Sequence, residues 1–185
     1  MVHFASSIAA FLIGAACASA HWRDSRWINT TEIHTTGAHL AAGATEQQQH
    51  LDAHNKERAA HGAKALVWDS GLAASAKSWA SKCKFEEATW HNSSGQNLAA
   101  ATGNPSIADE INLWNKELSD HNPSNPQPSH WTQVVWKGTT KVGCYMATCA
   151  PGNIFGKKYG NAKYVVCNYR PAGNVIGQFP KNVQK

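Results

Sequence analysis

Between His121 and Lys185 the chain has no aspartate and no glutamate, against eight basic residues; His21 to Asp120 holds twelve acidic and nine basic ones. The formal net charge of +5 is therefore a property of the C-terminal third. Such a face suits an anionic membrane surface or a cell-wall polysaccharide, or simply keeps an exported chain soluble. The basic residues are scattered through apparent strands and turns, which argues against a nucleic-acid reader. No apolar run is long enough to span a bilayer. The best one, Ile8 to Ala16, lies in residues 1–20, which carry no Asp, Glu, Lys or Arg and end on Ala18-Ser19-Ala20. That is the pattern of a secretory signal, with the mature, extracellular chain starting at His21. There is also no Cys-x2-Cys pair. With Cys17 leaving in the signal, four cysteines remain, Cys83, Cys144, Cys149 and Cys167. An even number in an oxidising compartment predicts two disulfides, a four-thiolate zinc site being the alternative.

What is present suits one domain with a sizeable core. Residues 21–44 show neither helical nor strand period and contain the sequon Asn29-Thr30-Thr31, so they read as a flexible extension glycosylated at Asn29. The domain, residues 45–185, opens with Thr45 and Gln48 at capping-box spacing and a helix running through Leu51, Asn55 and Arg58 to a glycine stop at Gly62. Ala65 to Trp68 reads as a short strand. Asp69 caps a second helix whose Leu72, Ala76, Trp79, Ala80 and Cys83 share one stripe. Lys84 to Ala101 reads as a loop, and Asn104-Pro105 opens a third helix with Ile107, Ile111, Trp114 and Leu118 inward. The proline-bearing stretch Asp120 to Ser129 is a surface loop. A short helix at His130 follows, with Gln133 and Val134 on the histidine's face. Lys141 to Cys149 and Lys163 to Arg170 read as an antiparallel strand pair. Helices followed by paired strands indicate an α+β fold with helices packed on a small sheet.

The stretch Ser129-His130-Trp131-Thr132-Gln133-Val134-Val135-Trp136 resembles one signature of the CAP superfamily: the cysteine-rich secretory, antigen 5 and pathogenesis-related 1 proteins. Tyr164-Val165-Val166-Cys167-Asn168-Tyr169-Arg170-Pro171 resembles the other. His54-Asn55 with Arg58, Gly95-Gln96-Asn97-Leu98-Ala99 and Trp114-x-x-Glu117 add to the match, which runs from about Thr45 to Phe179. The resemblance implies a three-layer α-β-α sandwich with a small, mainly antiparallel sheet, and a disulfide pairing of Cys83 with Cys149 and Cys144 with Cys167. The last pair lies near the middles of the two paired runs, where cross-strand neighbours come within bridging distance.

The resemblance also places two histidines and two acids in a central cleft, at positions His91, Gln96, Glu117 and His130 here, with Asn97 and Gln133 beside them. His91, Glu117 and His130 with a water make a ligand set for zinc or another divalent cation, weakened because Gln96 stands where the family has a carboxylate. The same groups alternatively form a hydrogen-bonded polar cluster. An enzyme is not indicated: the cysteines are bridged, and Ser129 and His130, adjacent on a helix, do not face one another. The function implied is that of a secreted, monomeric, pathogenesis-related 1-like binder or exporter of small hydrophobic ligands, sterols or fatty acids, in host interaction or defence. The loop Ser119 to Ser129, to which sterols are assigned in relatives, holds no aromatic residue here. A wall-glycan or signalling module and a metal-assisted hydrolase are the other readings.

Overall fold

A computed structural model describes residues 44–88 and 94–185. The signal, the extension with Asn29, and Trp90 and His91 lie outside the described residues. The elements are α1 (Glu46–Ala60), β1 (Val67–Trp68), α2 (Ser70–Ala80), β2 (Gly95–Thr102), α3 (Ile107–Asn115), α4 (His130–Val134), β3 (Lys141–Cys149), β4 (Ala162–Arg170) and α5 (Phe179–Asn182). Short 3-10 turns cover Lys116–Asp120 and Lys157–Tyr159.

The strands form one sheet in the order β1-β3-β4-β2, with β1 parallel to β3 and the other pairs antiparallel. On one face lies a core of Leu66, Ile111, Trp114, Trp131, Val142 and Tyr169, to which α1, α3 and α4 contribute or are joined. On the other, α2 packs through Ala76, Trp79 and Ala80 onto Leu98, Tyr164 and Val166. This is the expected mixed α-β-α arrangement. The N-terminus of α2 sits so close to β3 that a methyl group at Gly143 would overlap the backbone of Asp69 and Ala73. Cys144 faces Cys167 directly across β3 and β4, and the bridges are Cys83 with Cys149 and Cys144 with Cys167.

Local rules account for most boundaries. Thr45 accepts the amide of Gln48 at 3.2 Å, although the Gln48 side chain donates to Asp52 instead of closing the box. Gly62, at φ 64°, takes the chain out of α1 in a left-handed conformation that a side chain resists. Asp69 accepts from Gly71 and Leu72 at the start of α2.

Three expectations change. The stretch read as a loop, Lys84 to Ala101, contains the whole of β2 except its last residue; β2 pairs with β4 from Gly95 opposite Tyr169 to Thr102 opposite Ala162. Gly-Gln-Asn-Leu-Ala-Ala-Ala-Thr has little strand propensity, and pairing with β4 decides its conformation. Cys83 is not on the α2 stripe: the helix ends at Ala80 and Cys83 sits in the following turn at φ 51°. The third helix is capped by Ser106, in a reciprocal box with Asp109, so Pro105 precedes the cap and Leu118 falls in the 3-10 turn.

The inward face of α1 is polar. His50, His54 and Arg58, spaced four apart, are its buried residues. Arg58 is fully buried and donates from Nε to the Lys64 carbonyl (2.8 Å), from Nη1 to those of Val134 (2.7 Å) and Trp136 (2.9 Å), and from Nη2 to that of Thr139 (2.9 Å). Burial lowers its pKa to about 10, still well inside the charged range at neutral pH. Glu110 on α3 is the opposite case, a buried acid with no side-chain partner among the described residues and only the Ala101 backbone beside it. Burial raises its pKa to about 7, only partly offset by the Ala101 backbone.

Two outcomes are expected. Arg58→Met strands four carbonyl oxygens and destabilises the fold by roughly 3–5 kcal/mol in urea unfolding, whereas Arg58→Lys recovers only part of that loss. Glu110→Gln stabilises at pH 8. The native pKa of Glu110 lies above its unfolded value, so wild-type stability from this group is complete below the ordinary carboxyl range. It declines as pH rises through about 7. The gain from the neutral amide is therefore near zero at pH 4 and reaches about 2–3 kcal/mol above pH 7, read as unfolding free energy against pH.

Candidate functional site

Glu117 stands in the 3-10 turn that ends α3, thirteen residues before His130 in the chain but beside it in space. Its Oε2 accepts the backbone N–H groups of His130 (2.7 Å) and Trp131 (3.2 Å), and its Oε1 accepts from Nδ1 of His130 (2.7 Å). Ser129 accepts the Thr132 amide from the other side. The first turn of α4 is thus capped by two residues, one local and one distant. Burial by itself raises the pKa of Glu117, but the hydrogen bonds and charge of His130 and the N–H groups outweigh it, and the carboxyl ends below its ordinary value.

With Nδ1 given to the carboxylate, Nε2 is the ring nitrogen left for another partner. The ring is stacked near-parallel on Trp114 at 6.2 Å, and its side chain stays 40% exposed. A carboxylate that holds one imidazole nitrogen and leaves the other facing outward is the arrangement by which proteins orient a histidine for a ligand.

Behind the dyad runs a buried polar line. Asn97 donates to the His130 carbonyl (3.0 Å) and to the hydroxyl of Tyr169 (3.2 Å). That hydroxyl donates to Nε2 of His54 (2.8 Å), because Nδ1 of His54 must carry the proton it gives to the His50 carbonyl (2.7 Å). Burial lowers the His54 pKa to about 4; the His50 carbonyl opposes this and the Arg58 charge adds to it, so His54 is neutral in the working range.

Two of the expected cleft residues lie elsewhere. Gln96 is on the sheet face covered by α2: it donates to Asn168 (2.9 Å), which donates to the Leu72 carbonyl of α2, and it accepts the Ala88 amide (2.9 Å). Strand alternation is the reason, since Asn97 takes the face of His130 and its neighbour must take the other. Gln133 is buried, accepting from Gly173 (2.8 Å) and donating to Thr139 (3.1 Å), so it fastens loops to α4. His91 lies outside the described residues.

For a divalent cation the described residues offer Nε2 of His130. Both oxygens of Glu117 already accept from protein N–H groups, and Gln96 is across the sheet, so this set alone does not reach the three or four ligands zinc takes. The other close cluster among the described residues, His50 with Cys144 and Cys167, holds its sulfurs in a disulfide. The residues that the site needs and that sequence reasoning left unassigned are Trp114 as the stacking partner and Tyr169 with His54 as the support. The polar stripe at His50, His54 and Arg58 was the available signal.

Replacing Glu117 by Gln keeps one acceptor oxygen for the N–H groups of His130 and Trp131 and turns the other into an NH2 donor facing Nδ1 of His130. A loss of about 1–3 kcal/mol is expected, together with a change of His130 tautomer visible in ring-nitrogen NMR.

Comparison with known proteins places this geometry. Residues 51–169 match the model of the CAP, cysteine-rich secretory protein, family. The chain is 45% identical to fruiting body protein SC7 of Schizophyllum commune over 152 residues, covering 76% of this chain and 72% of that one. It is 36% identical to pathogenesis-related protein 1B of Nicotiana tabacum, covering 77% and 85%. Among solved structures, venom allergen-like protein 4 of Schistosoma mansoni aligns with a TM-score of 0.56 at 26% identity, over 70% of this chain and 90% of that one. Two signatures, two disulfides and the α-β-α sheet arrangement converge on one conclusion: the chain belongs to the CAP family.

Proposed function

We propose that this is an extracellular, non-catalytic binding protein that carries a fatty acyl chain along the seam between α1 and α3. The observation carrying this reading is that α1 and α3 pack together while Leu51, Leu113 and Leu118 stay only partly buried against the core. The inward face of α1 is occupied by polar anchors, so its one leucine is left at the flank. An apolar seam of this kind receives an extended chain through non-directional burial.

A sterol is less well served. The loop from His121 to Ser129 is polar and mostly exposed; some of its hydrogen bonds run within it, as from Ser124 to Asn122 and from Gln127 to Asn125, and others tie it to Asn174 and Lys185. It presents no apolar plane to a ring system. Catalysis is disfavoured by the commitments of the nucleophiles: Ser129 caps α4, and the four cysteines of the domain are bridged. Export is supported by those two bridges, which suit an oxidising compartment, and among the described residues no helix is long and apolar enough to cross a membrane.

The test is equilibrium binding of radiolabelled palmitate and cholesterol, side by side, to the purified chain with and without zinc. Saturable palmitate binding is expected, indifferent to zinc. It should weaken about tenfold in Leu51→Gln and Leu113→Gln, with only a modest fall in unfolding temperature, since both side chains are only partly buried. Absence of palmitate binding, or its survival in both variants, sinks the proposal. Retention on insoluble β-glucan in that case moves the reading to a wall-binding module.

A further inference from the structure

The turn that follows α2 and the loop between β3 and β4 meet at one end of the sheet. Cys83 in the turn is bridged to Cys149, the last residue of β3, and Cys149 pairs with Ala162, the first of β4. Lysines gather around that junction. Lys82 and Lys84 flank Cys83, and the Lys163 ammonium donates to the hydroxyl of Thr148 (2.9 Å), the residue before Cys149. Lys157 and Lys158 stand in the loop, where the stem of Lys157 lies over Gly152. Lys82, Lys84, Lys157 and Lys158 are exposed and Lys163 is half-buried. Residues 150–161 contain no acid, and the turn has Glu86 and Glu87, so five ammonium groups face two carboxylates and this end is cationic.

The same end displays rings. Phe85 is 44% exposed and Tyr159 is 39% exposed, and they are the aromatic side chains left most open among the described residues. Phe85 leans on Tyr164, with centroids 5.7 Å apart, so it is held in place at the surface. The Lys82 ammonium lies 3.9 Å from the centre of the Trp79 ring, and that of Lys158 lies 4.9 Å from the centre of Tyr159. A partner for this surface must accept positive charge and apolar rings together. Stacked sugars or bases need an open ring face, whereas ammonium groups lie over Trp79 and Tyr159 and Phe85 is tilted against Tyr164. The boundary layer of an anionic bilayer accepts both. Its headgroups attract lysines whose stems lie along apolar surface, and phenyl and phenol rings settle at headgroup level.

We infer that the end of the sheet stapled by Cys83 and Cys149 is a docking surface for an anionic lipid bilayer, with Lys82, Lys84, Lys157 and Lys158 on the headgroups and Phe85 and Tyr159 entering between them. The acyl seam lies between α1 and α3, on the other side of the sheet from α2, so vesicle binding and palmitate binding stand or fall separately.

The probes are vesicles of phosphatidylcholine, alone or with about one-third phosphatidylserine, sedimented with the purified chain at about 0.01 M and about 0.15 M salt. At low salt, binding to the anionic vesicles is expected to exceed binding to the neutral ones by about tenfold or more, and to fall several-fold at the higher salt. Lys84→Glu with Lys157→Glu should weaken it about tenfold, and Phe85→Ser with Tyr159→Ser roughly fivefold. Lys64→Glu with Lys181→Glu makes the same change of charge toward the opposite end of the sheet, where Lys141 pairs with Arg170, and should cost no more than about twofold. Palmitate binding should be the same in all these variants. Equal binding to both kinds of vesicle, or equal losses from the two charge-reversed pairs, overturns the assignment. So does binding to polygalacturonate as tight as to the anionic vesicles and unmoved by Phe85→Ser with Tyr159→Ser, which makes the surface a polysaccharide site. Should a variant not fold, the lipid preference and salt dependence of the native chain decide.

Discussion

One guanidinium holds the sandwich together. Arg58 leaves α1 and ends on four carbonyl oxygens drawn from the α1–β1 connection, the last turn of α4 and the bend that leads into β3. Among the described residues no carboxylate pairs with it; the peptide carbonyls supply its hydrogen bonds and must stay in place for the charge to be tolerated. The planar fork of Arg suits this role better than the single ammonium of Lys, because its donors diverge at fixed angles toward several acceptors. Segments that have no regular hydrogen bonding of their own are thereby fastened to a helix.

The site depends on that fastening. α4 is only five residues long and owes its place to Arg58 at its C-terminal end and to Glu117 and Ser129 at its start. A helix this short is not stable by propensity; it persists because side chains from distant segments satisfy its terminal groups. His130 is then set at the opening of this helix with one nitrogen tied down and the other outward, backed by Asn97, Tyr169 and His54. The result is a histidine held in one orientation by partners from four separate segments. His50, whose ring nitrogens have no hydrogen-bond partner among the described residues, lies elsewhere in the molecule and weakens it.

Much of this was legible in the residues. The caps at Thr45 and Asp69, the stop at Gly62 and the two long strands followed from local stereochemistry, and the family match carried the disulfide pairing. β2 was not legible, because Gln96 to Thr102 has the composition of a loop and becomes a strand only against β4. The placement of Gln96 failed for a related reason: once that stretch is a strand, neighbours alternate, and Asn97 and Gln96 cannot share a cleft. Cys83 was placed on a helix that ends three residues earlier, an error of boundary without consequence for the bridge.

By itself, the chain's order of residues determined the covalent and local features: an even set of cysteines, helix starts and stops, a C-terminal third without acids, and two signatures specific enough to name a family. These are legible because they depend on neighbours within one helical turn or on the identity of short motifs. Only the tertiary structure decided which polar residues meet. Glu117 reaches His130 across a proline-rich loop, Arg58 reaches carbonyls far along the chain, and His50 is left without a hydrogen-bond partner among the described residues. Such pairings depend on which sheet face each strand residue takes and on how three helices close over it, and no local spacing encodes them.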